Sequence, residues 1–224
     1  MSRNISIAPD EFYHLYNRGT DKRNIFSTEA DRERFLALLY LCNTEEPVHI
    51  DNIQKSRGST SLNLFETERG ESLVSICAYC LMPNHVHLLV HEKDENGISR
   101  FMQKLMTGYT MYFNKRHERS GALFQGRFKA THVDEDRYLK YLISYIHLNP
   151  MKLIAPRWKE DGIRDRQTAE KYLSQYRHSS YLDYLGTSRI ESKILNKEVL
   201  PDYFSDTRDF NTDIADWLEY QKES

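Results

Sequence analysis

The segment LVSICAYCLMPNHVHLLVH, residues 73–91, decides the fold class. It holds two strand-length runs, Leu73 to Leu81 and His85 to His91, separated only by Met82-Pro83-Asn84. Pro-Asn is turn chemistry. Parallel neighbours need a crossover of about a dozen residues or more, so two runs this close pair antiparallel. A doubly wound parallel sheet is therefore disfavoured. Within the second run, His85 and His87 are two apart and project from one face of the strand, while Val86, Leu88 and Val90 project from the other.

Working outward, EFYHLYNR (Glu11 to Arg18) is aromatic, strand-sized and closed by Gly19. Thr28 with Asp31 three residues on has the form of a capping box. It opens a helix whose Phe35, Leu38, Leu39 and Cys42 share an apolar face. Val48 to Ile53 reads as a second strand, and the polar stretch Gln54 to Gly70 as a loop or hairpin excursion. C-terminal to the histidines, Ser99 is placed to cap a helix running to about His117, with Phe101, Leu105, Tyr109 and Phe113 on one face. Gly121 interrupts the chain and Phe128 to Val133 reads as a further strand. Asp134 is then placed to cap a helix with a Leu139, Leu142, Ile143, Ile146 stripe, stopped by Pro150. The order of elements implies an α+β domain, residues 1–155, with a mostly antiparallel sheet. Residues 156–224 read as a helical or irregular C-terminal extension ending in an acidic tail.

Composition bounds the function. The chain has 224 residues, 39% hydrophobic and 12% aromatic. No apolar run approaches the ~18 residues of a membrane span, and MSRNISIAPDEF lacks the apolar core of a signal peptide. Three cysteines make no disulfide scaffold. The expectation is a cytoplasmic protein. Net charge is -2, but from Glu198 to Ser224 eight acids face two bases, which leaves 29 bases against 25 acids in the rest. Lys115, Arg116, Arg119, Arg127 and Lys129 cluster there against Glu118 alone, a local pattern suited to phosphates, although charge alone reads more readily as a solvated face.

Three groups of residues could do chemistry. His85 and His87 can converge on one metal ion, although two imidazoles do not complete a site and also occur as ordinary strand residues. Tyr145 and Asn149, in YIHLNP, are one helical turn apart. A phenol can attack phosphorus and an amide oxygen can join a metal shell. Among 15 tyrosines, however, Tyr109, Tyr112, Tyr138 and Tyr141 lie on comparable helices, so spacing does not single out Tyr145. The proline after Asn149 also biases that residue away from helical backbone. Cys77-x-x-Cys80 has no second pair and, being three apart on a strand, is expected to point to opposite faces.

The strings YHLYNRGTDKRNIF, AYCLMPNHVHLLV, YFNKRHERSGALFQGRFKA and YLISYIHLNPMK resemble the single-tyrosine HUH transposases of single-stranded DNA, most closely the REP-associated tyrosine transposases. The resemblance runs over about residues 11 to 155, and QYRHSSYLDYL near Tyr176 fits it too. It implies a ferredoxin-like domain with the HUH strand central in the sheet. It implies that His85, His87 and Asn149 bind Mg²⁺ or Mn²⁺, and that Tyr145 forms a covalent 5′-phosphotyrosine during cleavage and strand transfer. Asn149 stands where some insertion-sequence relatives have Gln. The implied partner is single-stranded DNA, in hairpins of repeated elements, and the implied setting is the nucleoid. Both a homodimer and a monomer stay open. For DNA contacts, Arg18, Lys115, Arg116, Arg119, Gln125, Arg127 and Lys129 supply polar groups, with Phe124 and Phe128 between them as flat surfaces. Phe113 reads as core. The alternative is a hairpin-binding protein that keeps the fold without cutting.

Overall fold

The computed structural model describes residues 6–48, 50, 64–163, 165–202, 210, 212 and 214. Four strands form one sheet: β1 (Phe12–Arg18), β2 (Val74–Met82), β3 (His85–Glu92) and β4 (Lys129–Val133), in the order β2-β3-β1-β4. Every neighbouring pair is antiparallel. Helix α1 (Glu29–Leu41) carries the chain from β1 to β2, with β3 between them. Helix α2 (Gly97–Arg116) carries it from β3 to β4, with β1 between. These are two interleaved split βαβ units, the ferredoxin-like arrangement. The histidine strand β3 is an inner strand, as expected.

The crossovers place α1 and α2 on one face of the sheet. There Phe35, Leu38, Leu39, Phe101, Leu105, Tyr109 and Phe113 pack on Leu15, Val86, Leu88 and Val90. A third helix, α3 (Asp136–Leu148), lies on the other face. Its Leu139, Leu142, Ile143 and Ile146 pack on Cys80 and Leu89. Tyr181, Tyr184 and Phe210 from the C-terminal segment share this second core, so the sheet sits between two helical layers.

Local chemistry explains the element starts. Thr28 accepts from the Asp31 amide, and Asp31 accepts from the Thr28 amide at 2.8 Å, the expected capping box. Helix α2 starts before Ser99, with Asn96 in left-handed backbone (φ 68) as its N-cap. The reason is Glu92, at the end of β3, whose Oε2 accepts from the Ile98 amide at 2.6 Å and caps the helix from outside. Glu135 rather than Asp134 is the N-cap of α3, and β4 begins at Lys129. Val48 is in no strand and Ile50 is helical, so the expected strand from Val48 fails there; residues 51–53 lie outside the described residues, as do residues 54–63 of the excursion.

Two departures bear on the site. The β2–β3 register shifts between Ile76 and Ala78, a bulge at Cys77. It turns Cys77 to the same face as Cys80, where both are buried in the α3-side core, against the expected opposite faces. Burial pushes both thiols well above their ordinary pKa. At the end of α3, Asn149 keeps helical backbone (φ -53, ψ -38) despite the following proline, and the chain tightens into a 3₁₀ turn, Asn149–Leu153. Asn149 and Pro150 are both buried there, and their packing overrides the local bias.

The C-terminal segment covers the free edge of β2. Leu81 donates to the His178 carbonyl at 2.9 Å, Ser180 donates to the Tyr79 carbonyl at 3.0 Å, and the Tyr79 amide donates to Ser180 Oγ at 2.9 Å. Arg189 joins Asp183, the Ser179 carbonyl and the Tyr79 hydroxyl in one buried network. An edge covered in this way is closed to pairing with other strands.

Candidate active site

Three elements converge on the α3 face of the sheet. From β3, His85 and His87 point toward α3, and their rings lie 5.0 Å apart at 88°. From α3, Tyr145 packs its ring edge-on to His87 at 5.7 Å. From the 3₁₀ turn, Asn149 is fully buried and donates from Nδ2 to the Tyr145 carbonyl at 2.8 Å. Among the helical tyrosines that spacing left undistinguished, Tyr145 thus meets the strand histidines, which Tyr16 of β1 also flanks at 6.1 Å from His87. Tyr138 and Tyr141 stack away from them, with rings 6.0 Å apart and Tyr141 5.9 Å from Tyr145. Tyr109 is buried in the other core, and Tyr112 bonds to the Ala30 carbonyl at 3.2 Å.

Sequence reasoning missed His14. Strand β1 pairs Tyr16 with His87, so His14 is the diagonal neighbour of His87. His14 Nε2 lies 2.8 Å from His87 Nδ1, and the rings stack at 19°. Burial drives the His14 pKa down to about 4, which keeps it neutral and able to accept. The available signal was the alternation Phe12, His14, Tyr16 on the face opposite Tyr13 and Leu15. Lys152 was also missed. Its Nζ donates to Asn149 Oδ1 at 3.0 Å and stands 5.3 Å from the Tyr145 ring centre.

The donor set suits a divalent ion. His85 Nδ1 is 2.6 Å from Asn84 Oδ1, an atom that only accepts, so Nδ1 carries the proton and Nε2 keeps its lone pair. Burial, with the charges of Lys152 and Arg18, lowers the His85 pKa to about 4, so the ring is already deprotonated at neutral pH. His14 accepts from His87 Nδ1 and so orients the ring, as outer-shell partners do for metal-binding histidines. Among the described residues no three His, Cys, Asp or Glu side chains are arranged to hold a metal. The third protein donor would be an amide oxygen, and Asn149 Oδ1 supplies one. Two imidazoles and one amide oxygen are borderline donors that fit several divalent ions, with water completing the shell.

The candidate DNA contacts divide into two groups. Arg18 is exposed opposite His85 in register, and its carbonyl accepts from the Gln125 amide at 2.7 Å. Lys129 is exposed, with its ammonium 5.9 Å from the Tyr16 ring centre, and Arg127 is exposed between Gln125 and Lys129. Arg18, Gln125 and Lys129 lie around the His85 end of the site, whereas Arg127 lines a cavity against Met102 and Met106 of α2. Lys115, Arg116 and Arg119 lie at the C-terminus of α2, in the opposite layer. There Arg116 is 3.7 Å from the buried Asp31 carboxylate, and Arg119 donates to Asn114 Oδ1 and to the Ala122 carbonyl. Phe113, Phe124 and Phe128 are all buried in the α1–α2 core. Phe124 and Phe128 are thus mainly core residues, though both line a cavity beside α2.

The fold and site define an antiparallel α+β protein with paired strand histidines facing a helical tyrosine. Residues 53–149 match the family model described as "Transposase IS200 like", and that span contains His85, His87, Tyr145 and Asn149. The resemblance read from the sequence holds across it. A solved structure titled "Structure of the REP associates tyrosine transposase bound to a REP hairpin" is similar over 85% of this chain and 90% of that chain, at 15% identity and a TM-score of 0.48. No curated protein matches the chain.

Proposed function

We propose that the protein cuts and rejoins single-stranded DNA through Tyr145, as a transposase acting on hairpins of repeated elements. The observation that carries this reading is the approach of the Tyr145 ring to the His87 ring, on a face where His85 and Asn149 also converge. The Tyr145 oxygen attacks the scissile phosphorus. The bond to the 3′ oxygen breaks, that oxygen leaves as a hydroxyl, and the 5′ phosphate stays on the phenol. Attack by a 3′ hydroxyl reverses the step and joins strands without outside energy. His85, His87 and Asn149 would hold the divalent ion, Mg²⁺ or Mn²⁺, which when bound neutralises charge on the phosphate. His14 orients His87. Arg18, Gln125 and Lys129 hold the strand that enters at the His85 end, and Arg127, Lys115, Arg116 and Arg119 extend the cationic surface beyond it. In this reading residues 1–155 carry the chemistry, and residues 178–184 of the C-terminal extension brace the sheet.

The test uses single-stranded oligonucleotides from the flanks of the protein's own gene, with Mn²⁺. An SDS-resistant adduct mapped to Tyr145, absent with EDTA and in His87→Ala, is the expected result. Tight hairpin binding without any adduct would establish the non-cutting alternative instead. An adduct on another tyrosine would overturn the role of α3.

A further inference from the structure

Lys152 is an ammonium at the heart of the site, and no carboxylate partners it among the described residues. Its position follows from backbone geometry. In a 3₁₀ turn residues three apart eclipse one another, and Asn149–Leu153 is such a turn, with Pro150 near its start. Lys152 is thereby stacked over Asn149. The amide of Asn149 has its orientation fixed twice: Nδ2 must face the Tyr145 carbonyl, to which it donates at 2.8 Å, and Oδ1 must face the ammonium at 3.0 Å. The oxygen that would serve a metal ion is thus already engaged by a cation.

We propose that Lys152 is a tethered cation that holds Asn149 Oδ1 while no divalent ion is bound, and transfers to a DNA phosphate when the ion takes that oxygen. The inference rests on the reading of Asn149 as a metal ligand. An ammonium and a divalent ion cannot share one amide oxygen without strong repulsion, so the ion has to displace Lys152. A displaced ammonium, with no carboxylate at hand, is best compensated by phosphate. The nearest phosphate would be the one next to the Tyr145 ring, since Lys152 already stands 5.3 Å from it. DNA then favours the ion and the ion favours DNA, by the same factor. The device discourages metal loading without substrate and brings a positive charge to the phosphate after loading.

The experiment measures Mn²⁺ affinity by the EPR signal of the free ion, with and without a single-stranded oligonucleotide, all in a Tyr145→Phe background that prevents cutting. Removing the competing hydrogen bond in Lys152→Met is expected to tighten Mn²⁺ binding to the DNA-free protein by about tenfold. The enhancement of Mn²⁺ affinity by DNA should shrink in Lys152→Met, leaving only the part due to direct contact of ion and phosphate, while Lys152→Arg retains most of it. Unchanged Mn²⁺ affinity and unchanged enhancement in Lys152→Met would overturn the proposal. His87→Ala and Asn149→Ala separate the two levels. If both abolish Mn²⁺ binding and Lys152→Met has no effect, only the role of Lys152 fails. If neither weakens binding, the metal site fails and the role of Lys152 with it.

Discussion

His147 lies between Tyr145 and Asn149 in the sequence but faces the core, where it is fully buried and its Nε2 is 2.7 Å from Ser180 Oγ. Burial lowers its pKa from 6.5 to about 3. Between those values the unfolded chain binds a proton that the folded chain refuses, so stability is present above about pH 6.5 and is lost on acidification. At pH 5, about 1.5 units below the unfolded pKa, the loss from this one residue is about 2 kcal/mol. That figure is insensitive to the depth of the folded pKa, provided it lies well below 5. His14 and His85 are shifted the same way, both to about 4, and add to the acid sensitivity of the wild type. The perturbation is His147→Gln, whose amide can still reach the Ser180 hydroxyl. Urea unfolding at pH 7 and pH 5 gives four stabilities. The variant is expected to be less stable at pH 7, yet to lose about 2 kcal/mol less than the wild type on going to pH 5. His14 and His85 cancel in this difference of differences. An equal acid loss in the two proteins would refute a neutral, proton-refusing His147.

The remaining predictions test the other parts of the argument. His14→Phe keeps the ring but removes the 2.8 Å bond to His87; Mn²⁺ affinity by isothermal calorimetry should fall about tenfold, and an unchanged affinity would mean His14 does not orient the ligand. Arg18→Ala and Lys129→Ala should each reduce the slope of log affinity for single-stranded DNA against log salt by about 0.7, read by fluorescence anisotropy. Arg116→Ala, whose guanidinium is held near Asp31, should change that slope less than either; equal slopes for all three would erase the division into two groups. Thr28→Ala should cost about 1 kcal/mol of stability through the lost cap. Asp31→Asn should cost more in the same urea assay, about 3 kcal/mol, because that buried carboxylate also holds His117 and sits beside Arg116. A smaller loss for Asp31→Asn than for Thr28→Ala would contradict this ranking.

What was legible in the sequence was whatever depended on short range. The Thr28–Asp31 box, the Pro83-Asn84 turn and the stripe from Phe101 to Phe113 all express local periodicity or local hydrogen bonding, and they appear as read. Element starts moved where a distant group intervened: Glu92 capped α2 and relieved Ser99 of that part. His14 was illegible because its partner is 73 positions away and is set by strand register, which periodicity does not fix. Cys77 was misplaced because a bulge reverses the alternation on which the inference rests. Lys152 was overlooked because a 3₁₀ turn, unlike an α-helix, stacks residues three apart, and the handover between the two at Asn149 carries no sequence mark beyond Pro150.

The two halves of the site are held by different means. His14, His85 and His87 stand on inner strands, where every neighbouring strand fixes their register, so their mutual geometry is set by the sheet alone. Tyr145, Asn149 and Lys152 belong to α3 and its turn, and α3 is positioned by its packing on the sheet and by the C-terminal segment. His147 meets Ser180 on one side and the Tyr184 and Phe210 rings on the other, at 4.7 and 5.3 Å. Ser180 is itself bonded to Tyr79 of β2, and Tyr184 donates to the Cys77 carbonyl at the bulge. The separation of Tyr145 from the histidines is therefore set by a chain of contacts running from β2 through residues 180 and 184 to His147. About 1 Å of displacement at a reacting atom is enough to cost two orders of magnitude in rate, so weakening these links is expected to slow the proposed cutting. In the proposed reaction, residues 180, 184 and 210 would thus act on Tyr145 without touching it, through the placement of the helix that carries it.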